Sequence, residues 1–255
     1  MSRQLSAHFL PALTSPAQLA GGTVVVIDVL RATTTITQAL VSGCREVIPC
    51  LEVDEARRRA AELPAGQAVL GGERGGLPIA GFDFGNSPRD YTPANVGGKT
   101  VVFTTTNGTK AMQSCLQADK VVLGSFLNFR AVSQSLLASG QVHLLCAGTG
   151  GRVTREDVLL AGALAQALSR ESHRLELNDE ALLARSAWRE IAAEKHLADS
   201  SAMSAMLAVE LRHTQGGRNL TGLGLQHDVD DVAQFDTIGL VGTLDLAAWR
   251  ITAQL

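Results

Sequence analysis

Short runs rich in Val, Ile and Leu recur along the chain and alternate with longer segments whose apolar residues fall at helical spacing. That alternation marks a mainly parallel sheet covered by helices, so an α/β fold is expected. Strands are expected at Thr23–Asp28, Glu46–Cys50, Ala68–Leu70, Lys99–Thr104, Lys120–Leu123 and Val142–Cys146. Each is apolar too continuously for a strand with one face in water, so both faces of the sheet should be covered. Helices are expected at Thr34–Ser42, Asp54–Leu63, Thr109–Leu116, Phe129–Ser139 and Arg155–Ser172, with Gly43 and Gly140 where C-caps would fall.

At 255 residues the chain can bury a large core, as a single domain over 1–255 or as two closely joined halves; the helix-rich segment 179–217 is a candidate subdomain. Charged residues make up 18% and the net charge is -3, which lacks the basic footprint of a nucleic-acid binder. The apolar runs are far shorter than a membrane-spanning helix needs, and the N-terminus lacks the apolar core of a signal peptide. A cytoplasmic protein is the expectation. Its four cysteines, Cys44, Cys50, Cys115 and Cys146, show no CxxC spacing and are expected to be reduced thiols.

Two regions break the α/β rhythm. The segment Asp179 to about Thr214, ending at Gly216-Gly217, reads as packed helix. The Gly- and Pro-rich stretch Gly71–Pro93 has no confident element, which in a compact domain points to a binding loop. It interleaves Glu73, Asp83 and Asp90 with Arg74 and Arg89, and adds Asn86 and Ser87. One such loop can supply carboxylates for magnesium and guanidinium forks for a phosphate or carboxylate; the plainer reading is a solvated loop with incidental charge.

Three strand-to-helix junctions look alike. VVVIDVLRATTTI places Asp28 at the end of a buried strand, followed by Arg31 and Thr33-Thr34-Thr35. Ligands of open α/β sheets bind at that edge, and free amides at the next helix favour an anion. Asp28 is a candidate metal ligand or nucleophile; the alternative is a turn-capping aspartate with threonines that satisfy backbone donors. VVFTTTNGTKAM repeats the design with Thr104, Thr105, Thr106, Asn107 and Gly108, where a phosphate would fit or a plain Asn-Gly turn would stand. HLLCAGTGGRVTRED carries Cys146, a glycine loop, Arg152, Glu156 and Asp157. Cys146 and Arg152 match the Cys-x5-Arg spacing of cysteine-dependent phosphatases, though a buried strand-end cysteine is the commoner case; Glu156 and Asp157 are candidate metal ligands or a general acid.

Taken in order, the DVLRATTT strand end, the GER-to-GNSP loop, TTTNGT and the CAG-to-ED segment, roughly residues 23 to 162, resemble the 2-phosphosulfolactate phosphatase (ComB) family. The resemblance implies a three-layer α/β/α enzyme with a mainly parallel sheet. It implies Mg2+-dependent hydrolysis of (2R)-phospho-3-sulfolactate, a step toward coenzyme M, or of a related phosphorylated 2-hydroxy acid. Carried over residue by residue, Asp28, Glu156 and Asp157 would be catalytic. Arg31, Asn86, Arg89, Thr105, Thr106, Asn107 and Gly108 would bind substrate, and Asp28, Glu73, Asp83 and Asp157 would hold the metal. The match loosens in the C-terminal region, which carries HDVDDVAQFDTIGLVGTL, and Asn219, Asp228 and Asp236 receive no role. A small-molecule substrate is the expected partner, with neither nucleic acid nor membrane, and the composition is compatible with a homodimer. The rivals are a haloacid-dehalogenase-type phosphatase, disfavoured by Leu30 where a second acid should stand, and an anion- or nucleotide-binding α/β protein, disfavoured by glycine spacing that misses GxGxxG.

Overall fold

The computed structural model describes residues 3–171, 174–193 and 200–254. In chain order its elements are β1 (Arg3–His8), β2 (Thr23–Ile27), α1 (Ala32–Val41), β3 (Glu46–Cys50), α2 (Val53–Ala61), β4 (Ala68–Arg74), β5 (Leu77–Pro78), α3 (Pro93–Val96), β6 (Thr100–Thr104), α4 (Gly108–Gln113), β7 (Lys120–Gly124), α5 (Phe129–Ser135), β8 (Gln141–Cys146), α6 (Arg155–Glu171), β9 (Leu175–Leu177), α7 (Asp179–Ala193), α8 (Ser200–Arg212), α9 (Gln215–Gly222), α10 (Gln226–Val232), β10 (Val241–Asp245) and β11 (Arg250–Gln254). The strands form one sheet in the order β5-β4-β6-β3-β11-β10-β7-β2-β8-β1-β9.

Every residue of β2, β3 and β6 is buried, as the apolar runs at their centres require. On one face Val24, Val26, Val47, Val101 and Phe103 pack against Ile36 and Leu40 of α1 and Met112 of α4. Behind β2 and β8, Val25, Ile27 and Leu144 pack against Leu160 and Leu164 of α6, while Ile48 and Val102 meet Ala56 of α2. The protein is thus a three-layer α/β/α sandwich with a mainly parallel sheet. Among the described residues no helix is long and apolar enough to cross a membrane.

The sequence does not announce the hairpin β10–β11, which is inserted in mid-sheet and pairs antiparallel with β7 on one side and β3 on the other. Three successive antiparallel pairings reverse direction an odd number of times. The parallel block β4-β6-β3 therefore runs opposite to the block β7-β2-β8-β1-β9. In a flat sheet their carboxyl ends would lie on opposite edges. A right-handed twist of about 20–25° per strand, accumulated from β6 to β2, turns the strand direction by roughly 100–125° and swings the two sets of ends toward one another. They meet closely: a Cβ added to Gly108, after β6, would lie 2.9 Å from Asp28 Oδ2, after β2.

Two local expectations are corrected. The third expected strand does not stop at Leu70 but continues to Arg74, because Gly71 and Gly72 pair with Phe103 and Thr104 of β6. Only glycine fits there: a Cβ on Gly71 would sit 2.1 Å from the Tyr91 hydroxyl, and one on Gly72, at φ +136, 2.0 Å from the Thr104 carbonyl. This extension carries Glu73 to the sheet edge. Gly43, at φ +83, follows α1 as a helix-ending glycine should, whereas α5 ends at Ser135 and Gly140 instead accepts a hydrogen bond from Gln4 N–H at the start of the β1–β8 pairing.

Candidate active site

Asp28 follows the last residue of β2, where the chain must turn sharply into α1. Thr33 fastens the turn: its hydroxyl accepts from Asp28 N–H (3.1 Å) and donates toward the Asp28 (2.9 Å) and Gly124 (2.7 Å) carbonyls. Thr34 donates to Val29 C=O and Thr35 to Asn86 C=O, both at 2.9 Å. The hydroxyl run is therefore spent on backbone, with no donor left for an anion. Its yield is the placement of Asp28, whose Oδ1 accepts the Ala32 N–H at 3.2 Å.

The second junction approaches from the other block. Glu73, at the end of the extended β4, accepts Thr106 N–H on one oxygen and Gly76 N–H on the other, each at 2.7 Å. Asn107 accepts Gly150 N–H (3.2 Å), which ties this turn to the glycine loop after β8. The result is a cavity of about 590 Å³ lined by Asp28, Arg31, Glu73, Asn86, Thr106 and Asn107, with Thr149 and Gly150 from the third junction and Gly216, Arg218, Asn219, Leu220 and Leu223 from α9 and its end. That volume suits a small-molecule ligand.

Arg31 is almost wholly buried. It donates to Asp228 Oδ2 at 2.6 Å and to Gly76 C=O at 2.8 Å, while Asp228 Oδ1 accepts from the Ser87 hydroxyl at 2.7 Å. Asp228 thus joins α10, the strand-end arginine and the Gly-rich loop. Sequence reasoning assigned Asp228 no role; its only signal was an acid within an otherwise ordinary acidic helix. Gly216 was likewise visible only as a helix-breaking pair. Its N–H donates to Glu156 Oε1 (3.1 Å), and a Cβ there would lie 2.2 Å from that oxygen.

Several expected site residues stand elsewhere. Asp157 does not line the cavity. Its Oδ1 accepts Val29 N–H (2.9 Å), and its Oδ2 accepts Gly148 N–H (3.0 Å) and the Thr154 hydroxyl (3.1 Å), so it clamps the turns after β2 and β8. Glu156 is also buried behind the lining, with Oε2 unpaired. Asp83 is exposed and accepts Leu70 N–H at 2.8 Å, because the strand extension turns the loop outward there. Arg89 is exposed, pairs with Asp231 and lines a different depression. Thr105 is buried against Thr109, and Gly108 leaves room for Asp28, whose Oδ2 a Cβ there would crowd at 2.9 Å. Of the tail residues, Asn219 lines the cavity, whereas Asp236 binds Arg130.

Cys146 is fully buried, and burial first, then the Asp157, Glu180 and Glu156 charges, push its thiol well above the ordinary range. An inert thiol follows. Arg152 does not line the cavity and Cys146 is fully buried, so the Cys-x5-Arg spacing does not make a phosphate cradle here.

The electrostatics favour added positive charge. Burial raises Asp28 to about 7; the Ala32 N–H and Arg31 oppose the shift, while Glu73 and Glu156 reinforce it. Among the described residues no group of three His, Cys, Asp or Glu side chains converges as a metal cage. Magnesium does not need one, since it keeps several waters and takes one or two carboxylates plus substrate oxygens. The donors fit: besides Asp28, the lining residues Asn86 and Thr106 bury Oδ1 and Oγ1 with no partner, and both are hard neutral oxygens.

The description 2-phosphosulpholactate phosphatase belongs to a family model that matches residues 8–246. A "Probable 2-phosphosulfolactate phosphatase" of Symbiobacterium thermophilum is 40% identical over 225 residues, 88% of this chain and 91% of that protein. Proteins of the same name from Thermotoga petrophila and Caldanaerobacter subterraneus are 37% identical over 222 residues (87% and 88% of the two chains) and 46% identical over 146 (57% and 61%). With nearly the whole chain matched and the strand-end cavity built by the segments that carry the resemblance, this protein belongs to the 2-phosphosulpholactate phosphatase family.

Proposed function

We propose that this phosphoric monoester hydrolase uses Mg2+ to release phosphate from phosphosulfolactate, the compound in its relatives' name, or from a closely similar phosphorylated 2-hydroxy acid. The observation that carries the proposal is Asp28, a buried carboxylate held at a strand end in the cavity beside Arg31 and the unpaired Asn86 and Thr106 oxygens. Asp28 and the Asn86 oxygen would hold the ion, which when bound offsets charge on the phosphoryl oxygens. Arg31, fixed by Asp228, presents its guanidinium edge to the ester phosphate. Thr106 and Asn107, locked by Glu73 and Gly150, orient the substrate. Leu30, Leu220 and Leu223 make the cavity drier, which strengthens each of these charged contacts.

The reaction breaks the phosphorus–oxygen ester bond; water supplies one oxygen and one proton to phosphate, and the departing alkoxide takes the other proton. The ionised Asp28 serves either as the attacking oxygen or as an anchor for the ion. The stereochemical course at phosphorus distinguishes the two: with a phosphoryl group made chiral by oxygen isotopes, retention means carboxylate attack followed by hydrolysis of the aspartyl phosphate, and inversion means direct attack by water. The test of the function itself is phosphate release from phosphosulfolactate and phospholactate, with Mg2+ and with excess EDTA. Release that stops with EDTA and falls by about 1,000-fold or more in Asp28→Asn is expected, as for loss of a nucleophile or ion anchor; full activity of Asp28→Asn defeats the assignment.

A further inference from the structure

Two cations line the cavity: Arg31 forms a direct ion pair, whereas buried Glu156 attracts Arg218 without direct contact. Arg31 is held in place by Asp228 and Gly76. Among the described residues Arg218, on α9, donates to neutral oxygens alone, the His213 carbonyl and the Gln215 side chain (3.2 Å). None of the ion pairs among the described residues includes it. The other α9 residues of the lining are uncharged: Gly216, Asn219, Leu220 and Gly222.

The backbone beneath Arg218 is fixed, and its side chain is engaged by two neutral acceptors. Gly216 N–H is held by Glu156 Oε1 at 3.1 Å and Gly217 N–H by the Thr214 hydroxyl at 3.2 Å, yet Arg218 itself is exposed at the cavity. A phosphorylated 2-hydroxy acid carries at least one anionic group besides its phosphate. That group, desolvated in a cavity that also holds Asp28 and Glu73, would be costly without a cation of its own. We infer that Arg218 is a specificity-determining residue: its guanidinium fork receives the non-reacting carboxylate or sulfonate of the substrate, while the phosphate end meets Asp28 and Arg31. A planar fork of donors matches either oxyanion in two-point contact, which a single ammonium does not.

The inference rests on the phosphatase reading, and binding tests it separately from turnover. Calorimetric titration of the full chain in Mg2+ would use 3-sulfolactate, the product with no phosphate, and inorganic phosphate, the product with no second anion. Arg218→Gln is expected to weaken sulfolactate by about 10–100-fold more than it weakens phosphate, the usual size of a lost charged hydrogen bond. Arg218→Lys should recover part of that difference. Equal weakening of both probes, or of neither, overturns the inference even if the enzyme turns over. A selective loss of sulfolactate in a protein that hydrolyses no phosphoester keeps the subsite and defeats the phosphatase reading instead.

Discussion

Two arginine–aspartate pairs tie different segments, the β2–α1 junction and the Gly-rich loop, to the same helix, and they differ in almost everything else. Asp228 and Asp231 lie three residues apart on α10. Asp228 meets Arg31 with both side chains 3% exposed, and Asp231 meets Arg89 with the partners 54% and 32% exposed. From sequence, both arginines looked like phosphate ligands. Only the buried one lines the cavity, where few water molecules compete for its charge and a carboxylate sets its direction. An arginine in a Gly-rich loop therefore does not identify a binding site. A buried arginine with a fixed partner and an edge open to a cavity does.

The largest effect should come from breaking the buried pair. Asp228→Ala leaves the Arg31 charge without its partner and frees the Ser87 hydroxyl, so urea denaturation should show a loss of about 3–5 kcal/mol. Replacing both partners, in Arg31→Met with Asp228→Leu, should cost less stability than Asp228→Ala alone, because no lone charge stays buried. If the double variant is the less stable, the pair is a net source of stability rather than a device that aims Arg31. Phosphate release should be lost in the double variant even where the fold is recovered.

The division between buried and exposed groups also explains which parts could be read in advance. Continuous apolar runs signal strands buried on both faces, so β2, β3, β6, β7 and β8 were visible. The first strand, RQLSAH, mixes polar and apolar residues, and β10 and β11 are short with partners distant in sequence; their patterns alone do not separate them from loop. Among site residues, spacing located Asp28, Glu73 and the Thr106-Asn107 turn because each closes or follows a strand. It did not show which way a side chain turns. Asp157 follows Glu156 at the start of α6 and points into backbone donors, and Asp83 lies in a loop whose outward course depends on where β4 ends. Asp228 was hidden because its partner is 197 residues away.

A buried pair with no opposing charge sharpens the contrast in a pH experiment. His8 Nε2 and His143 Nδ1 are 3.1 Å apart and both rings are buried. Burial, with His8 as a lesser cause, lowers His143 to about 4, and burial also lowers His8. Below about 6.5 the unfolded chain takes up protons that the folded rings refuse, so this pair's contribution to stability falls as the pH drops from 6.5 toward 4. Buried Asp28, whose folded value is raised, contributes in the opposite direction over the same range. The prediction therefore concerns a difference: urea midpoints of wild type should fall more steeply with acidification than those of His143→Gln. Parallel curves would mean that the pair opens to solvent or that the neutral form is not preferred.

The smallest effect should belong to the exposed pair. Water surrounds the Arg89 guanidinium and most of its contact with Asp231, so salt and solvent screen the attraction, and holding two mobile side chains together offsets much of the remainder. Arg89 also lines a depression other than the cavity of Asp28. Arg89→Ala should consequently leave the urea midpoint within experimental scatter of wild type at both low and high salt, and leave kcat/KM for phosphosulfolactate unchanged. A drop in kcat/KM with an unaltered midpoint would reverse the comparison. Exposure in the unliganded protein would then be a poor guide to function at this position, because Arg89 would have to leave Asp231 and reach the substrate as the 81–90 loop rearranges on binding. Such a drop should be accompanied by protection of that loop from hydrogen exchange when sulfolactate and Mg2+ are added.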